Sequence, residues 1–256
     1  MSKLVVFSDL DGTLLDHANY SFAPAQPALD ALAARDIPLI LATSKTAAEV
    51  AVLHEALSLG DWPAIVENGA GIYRPGRAGG DAAPYVALRS ALDALPPDLR
   101  APFRGFGDMS DAEVAEITGL APEAAALARQ RQHSEPGLWQ GDEAARQGFL
   151  DALAERGIAT RSGGRFLTLS HGRTKADGLR EIAAELAAER TLALGDAPND
   201  TDMLQAADLG VIVRNDHGPG IPPLPGEAQG TIRRTARPGP EGWNVAVLAI
   251  LNDIKD

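Results

Sequence analysis

Two carboxylates one residue apart, Asp9 and Asp11, close the apolar run Leu4-Val5-Val6-Phe7 and are followed by Gly12 and Thr13. In an extended chain residues i and i+2 point to the same side. Asp9 and Asp11 therefore start out side by side at the end of a buried strand. Two like charges there are costly unless a cation lies between them or one carboxyl keeps its proton. Asp and Gly are also ordinary turn residues, so the pair needs partners elsewhere in the chain before it can carry chemistry. Such partners stand at the ends of other apolar runs. Thr43 and Ser44 follow residues 38–42, Asn68 follows Ala64-Ile65-Val66, and Asp196, Asn199 and Asp200 follow residues 191–194. Lys175 opens a helical pattern. Three carboxylates and no cysteine suit a hard cation with oxygen ligands, Mg2+. Hydroxyls, an amide and a lysine around it suit a phosphoryl group.

The elements that must hold these residues alternate. Residues 4–8, 38–42 and 64–66 read as strands, and residues 25–35 and 47–59 as amphipathic helices between them. That order implies right-handed crossovers and a parallel sheet, whose ligands collect at the carboxyl ends of the strands. The texture changes near Arg74. Residues 75–84, rich in Gly, Pro and Ala, read as a linker. Helical patterns follow at 86–95, 111–118, 122–132 and 142–156, with short strands at 137–140 and 165–170, as in an inserted α+β lobe. The parallel pattern then resumes with a helix at 174–189, a strand at 191–194, a helix at 201–208 and a strand at 209–213. Residues 215–240 read as a long irregular loop, and 243–254 as a closing helix anchored by Trp243. The expected fold is α/β, a Rossmann-like parallel-sheet core of residues 1–82 and 172–256 with an α+β insertion at 83–171. The linkers near Gly79 and His171 are the expected hinges.

Bulk composition narrows the classes of function. The chain has 256 residues, 45% hydrophobic and 23% charged, enough for a sizeable core. Its formal net charge of −12 opposes nucleic-acid or anionic-membrane partners but allows a small anionic substrate beside local cations. No apolar run approaches the ~20 residues of a membrane span, and a charge pair as early as Asp9 and Asp11 argues against a secretory signal. A cytoplasmic location is expected. Lysine occurs only at positions 3, 45, 175 and 255, every other cation being arginine. Lys45 and Lys175 lie in loop-like segments and are candidate partners for phosphate or carboxylate.

Asp9-Leu10-Asp11-Gly12-Thr13, a hydroxyl closing the next strand, a downstream lysine, and Gly195-Asp196-Ala197-Pro198-Asn199-Asp200 together resemble the haloacid dehalogenase (HAD) superfamily of phosphatases. The insertion lies where that superfamily carries its α+β cap of the C2B type. Further pieces resemble the mannosyl-3-phosphoglycerate phosphatase family: Thr43 to Thr46, Glu67-Asn68-Gly69, Ile117 to Leu120, Ser134-Glu135-Pro136, Gly163 to Phe166 and Gly239 to Asn244. The stretch 215–237 departs from that pattern.

The resemblance implies roles. Asp9 is the expected nucleophile, forming an aspartyl-phosphate. Asp11 is the expected general acid, then base, its protonated form favoured by a neighbouring anion. Mg2+ is expected on the Asp9 carboxylate, the Asp11 main-chain oxygen and Asp196, with Asp200 a further ligand or a support. Lys175 would bridge nucleophile and phosphate, while Thr43, Ser44 and Asn199 would contact phosphoryl oxygens. Lys45, Asn68, Glu135, Arg165 and His171 are the candidates for the rest of the substrate. The implied activity is hydrolysis of mannosyl-3-phosphoglycerate to mannosylglycerate and phosphate, with a small phosphorylated glycoside as substrate and neither nucleic acid nor membrane as a partner. A glucosyl-3-phosphoglycerate phosphatase, a broader sugar phosphatase and a phosphoryl transferase between sugars are the enzymatic alternatives. A phosphosugar-binding protein on an inactive scaffold is the non-enzymatic one.

Overall fold

The structure, a computed structural model, describes residues 3–77, 81–163 and 165–254. The expected hinge at Gly79, and Gly164, lie outside the described residues.

Strand β1 (Leu4–Ser8) is buried along its whole length. Its side chains divide by parity: Leu4 and Val6 enter one apolar cluster, Val5 and Phe7 another. A strand covered on both faces needs no polar positions, which is why it reads as a continuous apolar run. Strand β2 (Leu39–Leu41) pairs parallel with β1 and divides in the same way, Leu39 and Leu41 against Ile40. Helices α1 (Gln26–Ala33) and α2 (Ala47–Ala56) follow β1 and β2. Thr46 starts α2 through a reciprocal cap with Glu49.

Strand β3 (Ala64–Val66) departs from the expected pattern. It pairs antiparallel with β4 (Gly71–Tyr73) and meets the parallel sheet through a single bridge between Ala42 and Ile65. The reason is an offset towards the carboxyl edge. Thr43 N donates to Ile65 O and Glu67 N to Lys45 O, so β3 bonds to the segment beyond the end of β2.

The insertion holds helices α3 (Ala83–Asp93), α4 (Pro97–Arg100), α5 (Asp111–Thr118), α6 (Pro122–Ala128) and α7 (Glu143–Ala154). With them run strands β5 (Phe103–Gly105), β6 (Ser134–Trp139), β7 (Ala159–Gly163) and β8 (Phe166–Ser170). The strands form one antiparallel sheet in the order β5-β6-β8-β7. Leu167 and Leu169 point to a core shared with Phe103, Phe149 and Leu88. Strands β5 and β7 are absent from the sequence reading. Both are sheet edges: β5, at three residues, is too short for its alternation of burial to be read as a period, and β7 is polar (Ala-Thr-Arg-Ser-Gly) and largely exposed.

The chain then returns to the first sheet with α8 (Lys175–Glu185), β9 (Arg190–Gly195), α9 (Thr201–Ala206) and β10 (Leu209–Arg214). The expected loop at 215–240 is in part ordered structure: α10 (Pro225–Gln229) and β11 (Ile232–Pro238). Strand β11 is the outer edge of the parallel sheet β11-β10-β9-β1-β2. Only Ile232 is buried in it, and its arginines and terminal proline hide its strand character. Helix α11 (Gly239–Asp253) starts four residues before the expected Trp243, with Pro240 in its first turn. Trp243 is fully buried, and its indole N–H donates to the Ser8 hydroxyl at 2.9 Å. Among the described residues no helix is long and apolar enough to cross a membrane.

Candidate active site

The carboxyl ends of β1 and β9 carry the centre of the site. Asp9 N donates to Leu194 O at 2.9 Å, which ties the turn after β1 to the end of β9. Lys175, first residue of α8, is buried and places Nζ 2.6 Å from Asp9 Oδ1 and 2.6 Å from Asp200 Oδ1. The other Asp200 oxygen accepts the N–H groups of Asp196 and Ala197, both at 3.1 Å. Asp200 therefore shapes the loop that presents Asp196. One Asp196 oxygen accepts the Thr13 hydroxyl and the other the Asn215 amide, each at 2.6 Å. Gly12 has φ of 84°, and a Cβ there would lie 2.6 Å from Asn215 Nδ2. Only a hydrogen fits between the first turn and that amide.

Oxygens of Asp9, Asp196 and Asp200 come within 4.8 Å of one another, all three residues buried. Burial pushes Asp9 well above the ordinary carboxylate range, the charge of Asp200 adds to it, and Lys175 opposes it. Burial likewise raises Asp196 against its hydrogen bonds from Thr13 and Asn215. For Lys175 the two carboxylates outweigh burial, so its ammonium form is strongly favoured. Three carboxylates around one ammonium leave an excess of negative charge inside the protein. An all-oxygen donor set with that excess fits a hard divalent cation such as Mg2+.

Asp11 stands differently. Its Oδ2 lies 2.8 Å from Lys45 Nζ, while Oδ1 is buried with no hydrogen-bond partner among the described residues. The neighbour is thus a cation, where the sequence reading looks for an anion. The Lys45 ammonium also lies 5.5 Å from the centre of the Tyr20 ring. Burial alone would lower the Lys45 pKa, but Asp11 outweighs it and raises the value. Thr43 is buried, and its hydroxyl accepts from Lys45 N at 3.2 Å, so it braces the loop. Ser44 is exposed to the cavity.

That cavity, about 590 Å³, opens between the parallel sheet's carboxyl edge and the antiparallel sheet. Asp11, Lys45 and Ser44 border it on one side, with Asn68 and Asn199 at its rim. Asn199 donates its amide to Asn68 Oδ1 at 3.1 Å. On the other side stand Pro136, Arg161, Phe166, Thr168 and Ser170. They belong to the sheet face opposite Leu167 and Leu169.

Three of the expected substrate contacts lie elsewhere. Glu135 is fully buried and accepts from the Tyr85 hydroxyl (2.6 Å), Arg89 (2.8 Å) and Gly107 N (2.8 Å). Its carboxylate ties the insertion together because strand parity turns it away from the cleft, while Ser134 and Pro136 face the other way. Arg165 is exposed at the β7–β8 turn, 5.6 Å from the Phe166 ring. His171 is exposed in a separate pocket with His133, its Nε2 3.1 Å from Pro84 O.

Residues absent from the expectation take prominent places. Asn215 closes β10 as Asp196 closes β9, so the strand-end rule was sufficient to find it. Glu67 follows β3 directly, so the same rule points to it as well. It is buried and accepts from Gln132 N (2.8 Å), Ser134 N (2.8 Å), the Ser134 hydroxyl (2.7 Å) and His133 N (3.2 Å). Arg131 Nε lies 3.2 Å from the same carboxylate, and its guanidinium donates to Ser44 O at 3.3 Å. Burial would raise the Glu67 pKa, but Arg131 and these donors hold it below its ordinary value. Glu67 and Asn68 adopt φ of 51° and 58°. Left-handed backbone at two non-glycine residues persists only when the surroundings enforce it. Here the enforcing contacts join the insertion to the loop after β2. The Gly239–Asn244 piece, by contrast, is architectural: Trp243 bonds Ser8, and Asn244 Oδ1 accepts from Ala28 N at 2.9 Å.

Residues 6–78 and 141–218 match the family described as haloacid dehalogenase-like hydrolase. Solved structures share the fold along nearly the whole chain. The sucrose-phosphatase of Synechocystis sp. PCC6803 is 18% identical, with 97% of this chain and 98% of that chain covered and a TM-score of 0.63. TM0651 of Thermotoga maritima is 18% identical, with 100% and 98% covered and a TM-score of 0.68. The HAD subclass IIB sugar phosphatase BT4131 is 17% identical, with 97% and 98% covered and a TM-score of 0.64. At such identities the likeness is one of fold.

Proposed function

The chain belongs to the haloacid dehalogenase-like hydrolases, and we propose that it is a Mg2+-dependent phosphatase that hydrolyses mannosyl-3-phosphoglycerate to mannosylglycerate and phosphate. The observation that carries the reaction class is the buried Asp9 carboxylate, held by Lys175 beside Asp196 and Asp200, with Asp11 and Asn199 of the same two loops bordering the cavity. In this reading Asp9 attacks phosphorus in line, and the bond from phosphorus to the leaving oxygen breaks as the aspartyl-phosphate forms. Asp11 gives its proton to the leaving alkoxide. It then takes a proton from the water that cleaves the aspartyl-phosphate. Lys175 orients the nucleophile and meets phosphoryl charge. Ser44 and Asn199 would donate to phosphoryl oxygens, and Thr43 would hold the loop. Asp9, Asp196 and the main-chain oxygen of Asp11 would hold Mg2+, which supplies positive charge opposite the phosphoryl oxygens, with Asp200 as their support.

A sugar phosphate as substrate is supported by the kinds of protein that share the fold, a sucrose-phosphatase in complex with sucrose and phosphate and a sugar phosphatase. The cavity also lies in the size range of small-molecule sites. The mannosyl-3-phosphoglycerate reading rests on the resemblance of the Ser134–Pro136 and Gly239–Asn244 pieces. Residues 1–82 with 172–256 form the catalytic part of the proposed enzyme and 83–171 its cap, acting in the cytoplasm on a small molecule. A panel of phosphate esters assayed with Mg2+ tests the substrate. Mannosyl-3-phosphoglycerate is expected to give the highest kcat/KM. Faster turnover of sucrose 6-phosphate or glucose 6-phosphate replaces this reading with a broader sugar phosphatase. Faster turnover of glucosyl-3-phosphoglycerate reassigns the sugar.

A further inference from the structure

Four cations line the cavity: Lys45, Arg131, Arg161 and Arg173. Three of them already have a carboxylate at close range. Lys45 lies 2.8 Å from Asp11, Arg131 3.2 Å from Glu67, and Arg173 2.6 Å from Glu181. Arg161 differs, because its carboxylate neighbour, Asp202, is 3.9 Å away, beyond hydrogen-bond distance. Arg161 leaves β7 opposite Thr168 of β8, on the sheet face that lines the cleft. Asp202 begins α9, directly after the Asp196–Asp200 loop. The guanidinium therefore crosses from the antiparallel sheet, at the cavity's edge, towards the start of α9.

The phosphoryl position has its own buried cation, Lys175. A second cation on the opposite wall, without a close partner, is suited to a second anionic group. Its planar fork matches a carboxylate with two parallel hydrogen bonds. Once phosphorus is in line with Asp9, the rest of the ester extends towards the antiparallel sheet. We propose that Arg161 is a specificity-determining residue that recognises a carboxylate on the leaving-group side of the phosphate ester. The inference rests on the phosphatase reading of the site but not on the identity of the sugar. The competing explanation is an edge-strand arginine that only discourages pairing at β7.

Two substrate pairs that differ by the carboxylate test it. One is 3-phosphoglycerate with glycerol 3-phosphate. The other is mannosyl-3-phosphoglycerate with its carboxyl-free counterpart, mannosylglycerol phosphate. The quantity read is the ratio of kcat/KM within each pair, which does not depend on the fraction of enzyme that is folded. Wild type is expected to favour the acid. Arg161→Gln is expected to lower the ratio by about 10- to 100-fold, the range for a hydrogen bond to a charged group. Arg161→Lys, which keeps the charge and loses the fork, is expected to fall between. A ratio unchanged in Arg161→Gln, or a wild type with no preference for the acid, overturns the inference. The two readings fail separately. Preference for 3-phosphoglycerate without turnover of the mannosyl ester sinks the mannosyl substrate and leaves Arg161 its role. Turnover led by the mannosyl acid with a ratio indifferent to Arg161→Gln does the reverse.

Discussion

The two walls of the cavity are built on opposite principles. Behind the parallel-sheet side, charge is buried and tightly paired: Lys175 lies 2.6 Å from each of two carboxylates, and both Asp196 oxygens accept a hydrogen bond at 2.6 Å. On the antiparallel-sheet side the surface is Pro136, Phe166, Thr168 and Ser170, with one guanidinium at arm's length from its carboxylate. Buried charges held by short contacts have little freedom, and that rigidity is what stabilising a transferring phosphoryl group requires. Small hydroxyls and rings impose shape with little desolvation cost, and they can be exchanged without disturbing the first wall. Under the proposed function, chemistry belongs to one wall and selection to the other.

The largest break is expected from Asp9→Asn. An amide cannot form the acyl phosphate, so phosphate release should fall by about 10³-fold or more, with no phosphoenzyme trapped by acid quench. Turnover near the wild-type rate would remove Asp9 from the role of nucleophile.

The joint between the walls comes next. Glu67→Gln sets an amide N–H₂ against backbone donors and leaves Arg131 without its carboxylate, a loss of about 3–5 kcal/mol for a broken buried pair. The Glu67 carboxyl titrates below its ordinary value of 4.5 in the folded protein. Its stabilisation is therefore fully present above about pH 4.5 and disappears as pH falls through the lower folded value. Urea unfolding of wild type and Glu67→Gln should accordingly differ at pH 7 and converge in acid. A gap that persists at low pH would show that the loss is one of packing.

The smallest effect sharpens the comparison from the outside. Arg165 sits on the insertion but off the cleft, exposed on the β7–β8 turn. Arg165→Ala should change kcat/KM by less than about twofold, as expected of a surface substitution. A tenfold loss would mean that the selecting wall extends beyond the cavity described.

What the amino-acid sequence determined is what local order can carry. The end of the apolar run β1 marks Asp9 and Asp11, and the same strand-end rule marks Thr43, Asn68 and Asp196. Helix α8 is announced by the helical pattern at 174–189, with Lys175 at its start. Only the tertiary structure decided how these residues meet. Edge strands such as β5, β7 and β11 are too short or too exposed to show a period, so the face that β7 turns to the cleft, and Arg161 with it, stayed hidden. Strand parity turned Glu135 inward. The partner of Asp11 proved to be Lys45, and Glu67 found its donors some 65 residues along the chain. Periodicity reports whether a side chain is buried, but the group it meets across a junction is set by how two separately folded sheets dock, and no local spacing encodes that.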